Sequence, residues 1–167
     1  EIAYVKLYNF TEKIGIEWAK TAVQIYNSSA DRIIIDLRSN PGGYLEMARE
    51  IAGYFLERGK VVVIEDKGEA VEEFRAQGTP LFLDYPVVVL VKQGTASASE
   101  ILSGALRDQR GIKLVGETTF GKGSVQILEN LSQGASLKVT IARWLTPDGK
   151  TIEEEGLEPD IKVELSE

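Results

Sequence analysis

At 167 residues, 43% of them apolar, the chain has the size and apolar content of one compact domain with a sizeable core. Acidic side chains outnumber basic ones by 26 to 19, and the formal charge of -7 argues against unaided binding to nucleic acid or anionic lipid. Cysteine and histidine are both absent, which removes disulfides, thiol nucleophiles, thiolate metal sites, the Ser-His-Asp triad and every imidazole general base.

Taken in chain order, Ala3 to Tyr8 alternates like a strand, and Thr11 to Ser28 has the helical spacing of Ile14, Trp18, Ala22 and Ile25. Arg32 to Leu37 is a short β-branched strand that stops at the turn cluster Ser39-Asn40-Pro41-Gly42-Gly43. Tyr44 to Leu56 reads as a helix, Val61 to Ile64 begins a strand, and a Lys67-Gly68 turn leads into a more polar segment from Ala70 to Arg75. Pro86 to Val91 is apolar on consecutive residues, as expected of a central strand covered on both faces of a mostly parallel sheet. A helix over Ser97 to Gln109, a buried strand over Lys113 to Val115, and a β pair of Val125–Leu128 and Ser136–Leu145 around Ser132-Gln133-Gly134 complete the series. Strands alternating with helices predict a layered α/β domain. Glu153-Glu154-Glu155 reads as a solvated charge run rather than a metal site. No apolar run approaches the roughly 20 residues of a membrane span, and the opening EIAYVKLYNF lacks the basic start and apolar centre of a signal peptide.

The stretch GETTFGKGS, Gly116 to Ser124, comes within one residue of the phosphate-cradling pattern G-x-x-x-x-G-K-S/T. That loop needs a hydroxyl directly after the lysine and a helix starting there. Gly123 stands at the hydroxyl position and the residues beyond read as strands, which counts against a nucleotide site. Lys122 is then either a solvated loop lysine or a base placed by its tertiary surroundings.

Thr95, Ser97 and Ser99 crowd the junction between the most apolar strand and the helix after it, the end of the strand where α/β sheets place their sites. Ser97 and Glu100 fit a capping box, a purely structural role. The same position suits a nucleophile, because the next backbone N–H, that of Ala98, is free to stabilise an oxyanion. Such a serine needs a proton acceptor, and without histidine the strong candidate is a lysine kept neutral by burial. Glycines on both sides would let Lys122 approach the serine, and Phe120 can help to desolvate the amine. If Lys122 opens a strand, Gln126 four residues on faces the same side and can orient the amine without adding charge. Asn40-Pro41-Gly42-Gly43 is a tight turn that can also offer a second oxyanion donor.

Together, DLRSNPGGYL at Asp36 to Leu45, QGTASASEI at Gln93 to Ile101, GETTFGKGSVQ at Gly116 to Gln126 and R-W-L-T-P-D-G-K-T-I-x5-G-L-x-P-D from Arg143 to Asp160 resemble the carboxyl-terminal processing peptidases, or tail-specific proteases. The resemblance implies Ser97 as nucleophile, Lys122 as general base and Gln126 as the residue that positions it, with Ala98 and Gly43 as oxyanion donors. It implies a ClpP/crotonase-like layered core, a mostly parallel sheet flanked by helices with a C-terminal β extension. The whole of residues 1–167 is expected to form a single protease catalytic domain, without the PDZ domain and amino-terminal helices usual in the family. No metal or organic cofactor is expected. The expected partner is a protein or peptide bound in extended form by its C-terminal region, with no nucleic acid and no membrane insertion. The expected location is extracytoplasmic, in the periplasm or cell envelope. A catalytically silent peptide-binding module of the same fold is the alternative, with a phosphate-loop enzyme third.

Overall fold

The computed structural model describes residues 1–131 and 135–163. In chain order it contains β1 (Ile2–Lys6), α1 (Ile14–Tyr26), β2 (Arg32–Asp36), α2 (Leu45–Ala52), β3 (Val61–Asp66), β4 (Val71–Arg75), β5 (Val87–Val91), α3 (Ala98–Arg110), β6 (Lys113–Gly116), β7 (Ser124–Asn130), β8 (Ser136–Leu145) and β9 (Ile161–Lys162). The expected turn at Ser132-Gln133-Gly134 lies outside the described residues.

A parallel sheet runs in the order β1-β2-β5-β6-β9, with β5 in the middle as its apolar run predicts. The registers Ala3↔Ile33, Ile33↔Val87, Ile35↔Val89 and Val89↔Leu114 place these side chains on one face. There they share one apolar cluster with Trp18 and Ala22 of α1, Ala48 and Ile51 of α2, and Leu102 and Leu106 of α3. Trp18 stands edge-on to Tyr54 at 5.9 Å between ring centroids, and Phe55 meets Phe82 at 5.4 Å, so large rings fill the space under the helices. On the opposite face Ile34, Val88, Leu90 and Val115 are only half-buried, while Ile2, Tyr4 and Ile161 are exposed. Among the described residues the central strand is therefore covered by helices on one face only, not on both, because α1, α2 and α3 pack on the same side.

The remaining strands form an antiparallel sheet in the order β4-β3-β8-β7. Ten residues make β8 long enough to pair with β7 through Ile127↔Val139 and, near its end, with β3 through Ile64↔Leu145. The polar segment after Lys67 is a strand after all. Its turn closes through Lys67 N–H to Ala70 O at 2.9 Å, and Phe74 of β4 rests edge-on against Trp144 of β8 at 5.8 Å. Every residue of α3 from Ala98 to Leu106 is buried, and the helix touches β6 of one sheet and β3 of the other.

This arrangement departs from the expected ClpP/crotonase-like core with a C-terminal β extension. The antiparallel strands are no appendage: they draw β3 and β4 from mid-chain, and the burial of α3 depends on them. The reason is that β8 finds its second edge about 80 residues upstream, a pairing that local hydrophobic pattern does not encode.

At the end of β2 the buried carboxylate of Asp36 accepts hydrogen bonds from Arg38 Nη2 at 2.8 Å, Arg38 Nε at 3.0 Å, the Arg38 backbone N–H at 2.9 Å and the Tyr4 hydroxyl. Burial pushes its pKa up, but the bonds from Arg38 and Tyr4 outweigh burial and hold it at about 2, against an ordinary 3.8. A carboxyl depressed in the folded state stabilises the fold above its unfolded pKa, and that contribution disappears as pH falls through the folded value. Asp36 is therefore expected to contribute about 2 kcal/mol near neutrality, lost between roughly pH 4 and pH 2. Urea unfolding across that window should show a shallower acid loss in Asp36→Asn than in the wild type.

Candidate active site

Ser97 ends the segment after β5 and caps α3 with φ 55° and ψ -120°, a backbone conformation that a side chain rarely adopts. A strained strand-to-helix turn is one way to hold a nucleophile clear of its own helix. The strain is restrained from several directions. Thr95 Oγ1 donates to Leu37 O at 2.8 Å, Ala96 N–H donates to Asn40 O at 3.0 Å, and Ser97 N–H donates to Glu100 Oε2 at 2.8 Å. The Glu100 arm of the expected capping box is thus in place with good geometry, whereas the Ser97 hydroxyl lies in position for the other arm without a cap hydrogen bond of its own. Ser97 is half-buried, and the Ala98 N–H has no hydrogen-bond partner among the described residues.

The turn after β2 is fastened against this junction. Asn40 is wholly buried; its Nδ2 donates to Leu7 O at 2.9 Å, its Oδ1 accepts from Gly42 N–H at 2.9 Å, and its backbone carbonyl accepts from Ser99 Oγ at 3.1 Å. Gly42 has φ +94°, and a Cβ there would lie 2.6 Å from Ala96 O and 2.8 Å from Ala98 N, so glycine is what lets the two loops meet. Gly43 forms a parallel bridge with Phe10, made by Phe10 N–H to Gly42 O and Tyr44 N–H to Phe10 O, both 2.8 Å. In such a bridge the flanking residues supply the bonds on one partner, so the N–H and C=O of Gly43 itself point away from Phe10. Gly43 is exposed, and neither group has a partner among the described residues. The free Ala98 amide thus adjoins Ser97, and the free Gly43 amide follows Gly42, the residue whose Cα faces the Ser97 side chain.

Lys122 arrives from the segment between β6 and β7. The wholly buried carboxylate of Glu100 receives it: Oε1 accepts from the Thr119 hydroxyl at 2.6 Å and Gly121 N–H at 2.7 Å, and Oε2 from Ser97 N–H at 2.8 Å and Lys122 N–H at 2.9 Å. A single oxygen holds the backbone nitrogens of both residues, which therefore lie within about 6 Å of each other. The Gly123 N–H donates to Glu153 Oε2 at 2.7 Å. Successive amides of a glycine-rich loop make a nest for an anion, and here the protein's own carboxylates fill it. With its amides taken and β7 rather than a helix following, the loop has no place for a phosphate.

The side chain of Lys122 is exposed, and its Nζ has no hydrogen-bond or ion-pair partner among the described residues, the Ser97 hydroxyl included. The burial anticipated for this amine is not supplied by Phe120, which is itself 62% exposed. Gln126 lies on β7, which begins at Ser124, and a register irregularity between Val125 and Gln126 breaks the simple alternation that would set it on the same side as Lys122. Its Nε2 donates to Thr140 Oγ1 at 3.3 Å. Three residues that matter to the site carried a different reading in the sequence. Glu100 showed only its capping role, Asn40 only a turn, and Glu153, half-buried and turned inward, belonged to a run of which Glu154 and Glu155 alone are exposed.

Residues 1–163 match the model of peptidase family S41. The chain belongs to that family. Among relatives of this S41 chain, the carboxyl-terminal-processing protease of Synechocystis sp. is 44% identical over 163 residues, covering 98% of this chain and 38% of that protein. The carboxy-terminal processing protease CtpA of Bacillus subtilis is 38% identical over 165 residues, covering 98% and 35%. The S41 chain thus spans little more than a third of these curated relatives' length. Among solved structures, the photosystem II D1 C-terminal processing protease superposes with a TM-score of 0.90 at 33% identity, over 98% of this chain and 42% of that one. That likeness replaces the ClpP/crotonase-like description with the mixed α/β fold of this S41 protease.

Proposed function

We propose that this S41 chain is the catalytic core of a serine endopeptidase that cleaves protein substrates near their C-termini through a serine/lysine dyad. The observation that carries the proposal is the shared Glu100 Oε2, which brings the Ser97 and Lys122 backbones together. In the reaction, neutral Lys122 takes the proton of Ser97 Oγ as it attacks the scissile carbonyl, and the Ala98 and Gly43 N–H groups hold the oxyanion. Lys122 then protonates the departing amine, and water hydrolyses the acyl-enzyme with the roles reversed. Gln126 steadies the amine once substrate or another part of the protein covers it. No step calls for a metal or an organic cofactor. The unpartnered N–H and C=O of Gly43 suit a substrate laid alongside in extended form, the usual economy of strand addition. The family resemblance supports an extracytoplasmic location, in the periplasm or cell envelope.

The exposed Lys122 amine favours a second reading, a peptide-binding module of the same fold without turnover. Intact-mass measurement after incubation with an unstructured protein separates the two. Loss of C-terminal fragments from that protein is the expected result; its return at full mass, with binding, would establish the silent module.

A further inference from the structure

The segment after Ile152 wraps closely around the loop that carries Lys122. Glu153 Oε2 accepts from Gly123 N–H at 2.7 Å, and Glu154 N–H donates to Gly121 O at 2.9 Å. Glu154 holds φ +65°, uncommon for a residue with a side chain. A Cβ on Gly121 would lie 3.0 Å from Glu154 C, and one on Gly123 would lie 2.4 Å from Glu153 N, so the two backbones are in direct contact.

We infer that Glu153 is a positioning residue for the lysine base, resting on the Ser97–Lys122 reading above. It fixes the turn from which Lys122 projects and has no contact with the reacting atoms. Since the Lys122 side chain has no partner of its own among the described residues, the origin of the amine is set by the backbone on either side. Glu100 secures the amides of Gly121 and Lys122, and Glu153 secures that of Gly123. Without the Glu153 carboxylate the Gly123 amide would have no acceptor, and the bond that the Gly123 carbonyl accepts from Trp144 N–H at 2.6 Å would be that residue's one remaining hydrogen bond among the described residues.

The test uses Glu153→Ala and Glu153→Gln in this chain, with Ser97→Ala as the blank. Glu153→Ala is expected to lower kcat about tenfold or more while KM stays within about twofold, because no ground-state substrate contact is removed. Glu153→Gln keeps an oxygen that can accept from Gly123 and is expected to retain kcat within about threefold. Hydrogen exchange supplies a readout independent of turnover: the amides of Gly121 to Gly123 should exchange faster in Glu153→Ala while β2 and β5 keep their protection. Unchanged exchange at those amides, or faster exchange with unchanged kcat, overturns the inference. Turnover by the unsubstituted chain no higher than that of Ser97→Ala sinks the dyad reading and with it any role toward a base, and the exchange result tells that failure apart from a loop that Glu153 does not hold.

Discussion

Lys122→Arg is expected to be as inactive as Lys122→Ala and Ser97→Ala, each lowering turnover of an unstructured protein by about three orders of magnitude or more. Arginine preserves the charge and most of the reach but cannot lose its proton near neutral pH, so it separates a base from a mere cation. The loss will not be traceable to unfolding. Lys122 is exposed and its Nζ has no hydrogen-bond or ion-pair partner among the described residues, so either substitution should shift stability by no more than about 0.5 kcal/mol. Initial rates read by intact mass, alongside unfolding midpoints, check both halves. Residual turnover in Lys122→Arg within tenfold of the wild type would mean that the proton goes elsewhere.

Removing Glu100 should have the largest effect on stability. Glu100→Ala removes the acceptor of four donors: the Thr119 hydroxyl and the Gly121 amide, whose bonds are buried, and the amides of Ser97 and Lys122, whose bonds are partly buried. Each buried donor left alone costs about 1–3 kcal/mol, so two of them imply a loss on the order of 4 kcal/mol, with turnover expected to vanish as the loops carrying Ser97 and Lys122 part. Glu100→Gln is a sharper probe. Turned toward Ser97 and Lys122 its amide nitrogen meets two N–H donors; turned the other way it meets the Gly121 N–H and the Thr119 hydroxyl, which can accept, while its oxygen still accepts from the other pair. It should fall between wild type and alanine in denaturant. If Glu100→Ala unfolds within about 1 kcal/mol of the wild type, the carboxylate is not the fastening described.

Individual elements were largely legible from local pattern. The spacing of Trp18, Ala22 and Ile25 marks the buried face of α1, and the apolar run into Val91 marks the middle strand of the parallel sheet. Within the polar segment Ala70 to Arg75, Val71–Arg75 forms β4, since its stability comes from Phe74 against Trp144 across a sheet rather than from its own alternation. The short strand β9 gave no signal for a related reason: two residues beside β6 are held by an existing edge. The expected geometry of Gln126 rested on unbroken alternation from Lys122, and one irregularity of register removes that basis.

What the amino-acid sequence determined unaided was local: a serine at a helix start, a lysine between glycines, and no imidazole or thiol anywhere in 167 residues. Those facts restrict the chemistry because they concern which groups exist at all. Only the tertiary structure decided that Glu100 would gather amides from 21 and 22 residues downstream, that Glu153 would turn inward 30 residues beyond Gly123, and that the antiparallel strands would form a sheet of their own. A hydrogen bond depends on an acceptor arriving within about 3 Å of its donor, and between residues so far apart in the chain that arrival is set by how the sheets and α3 pack together.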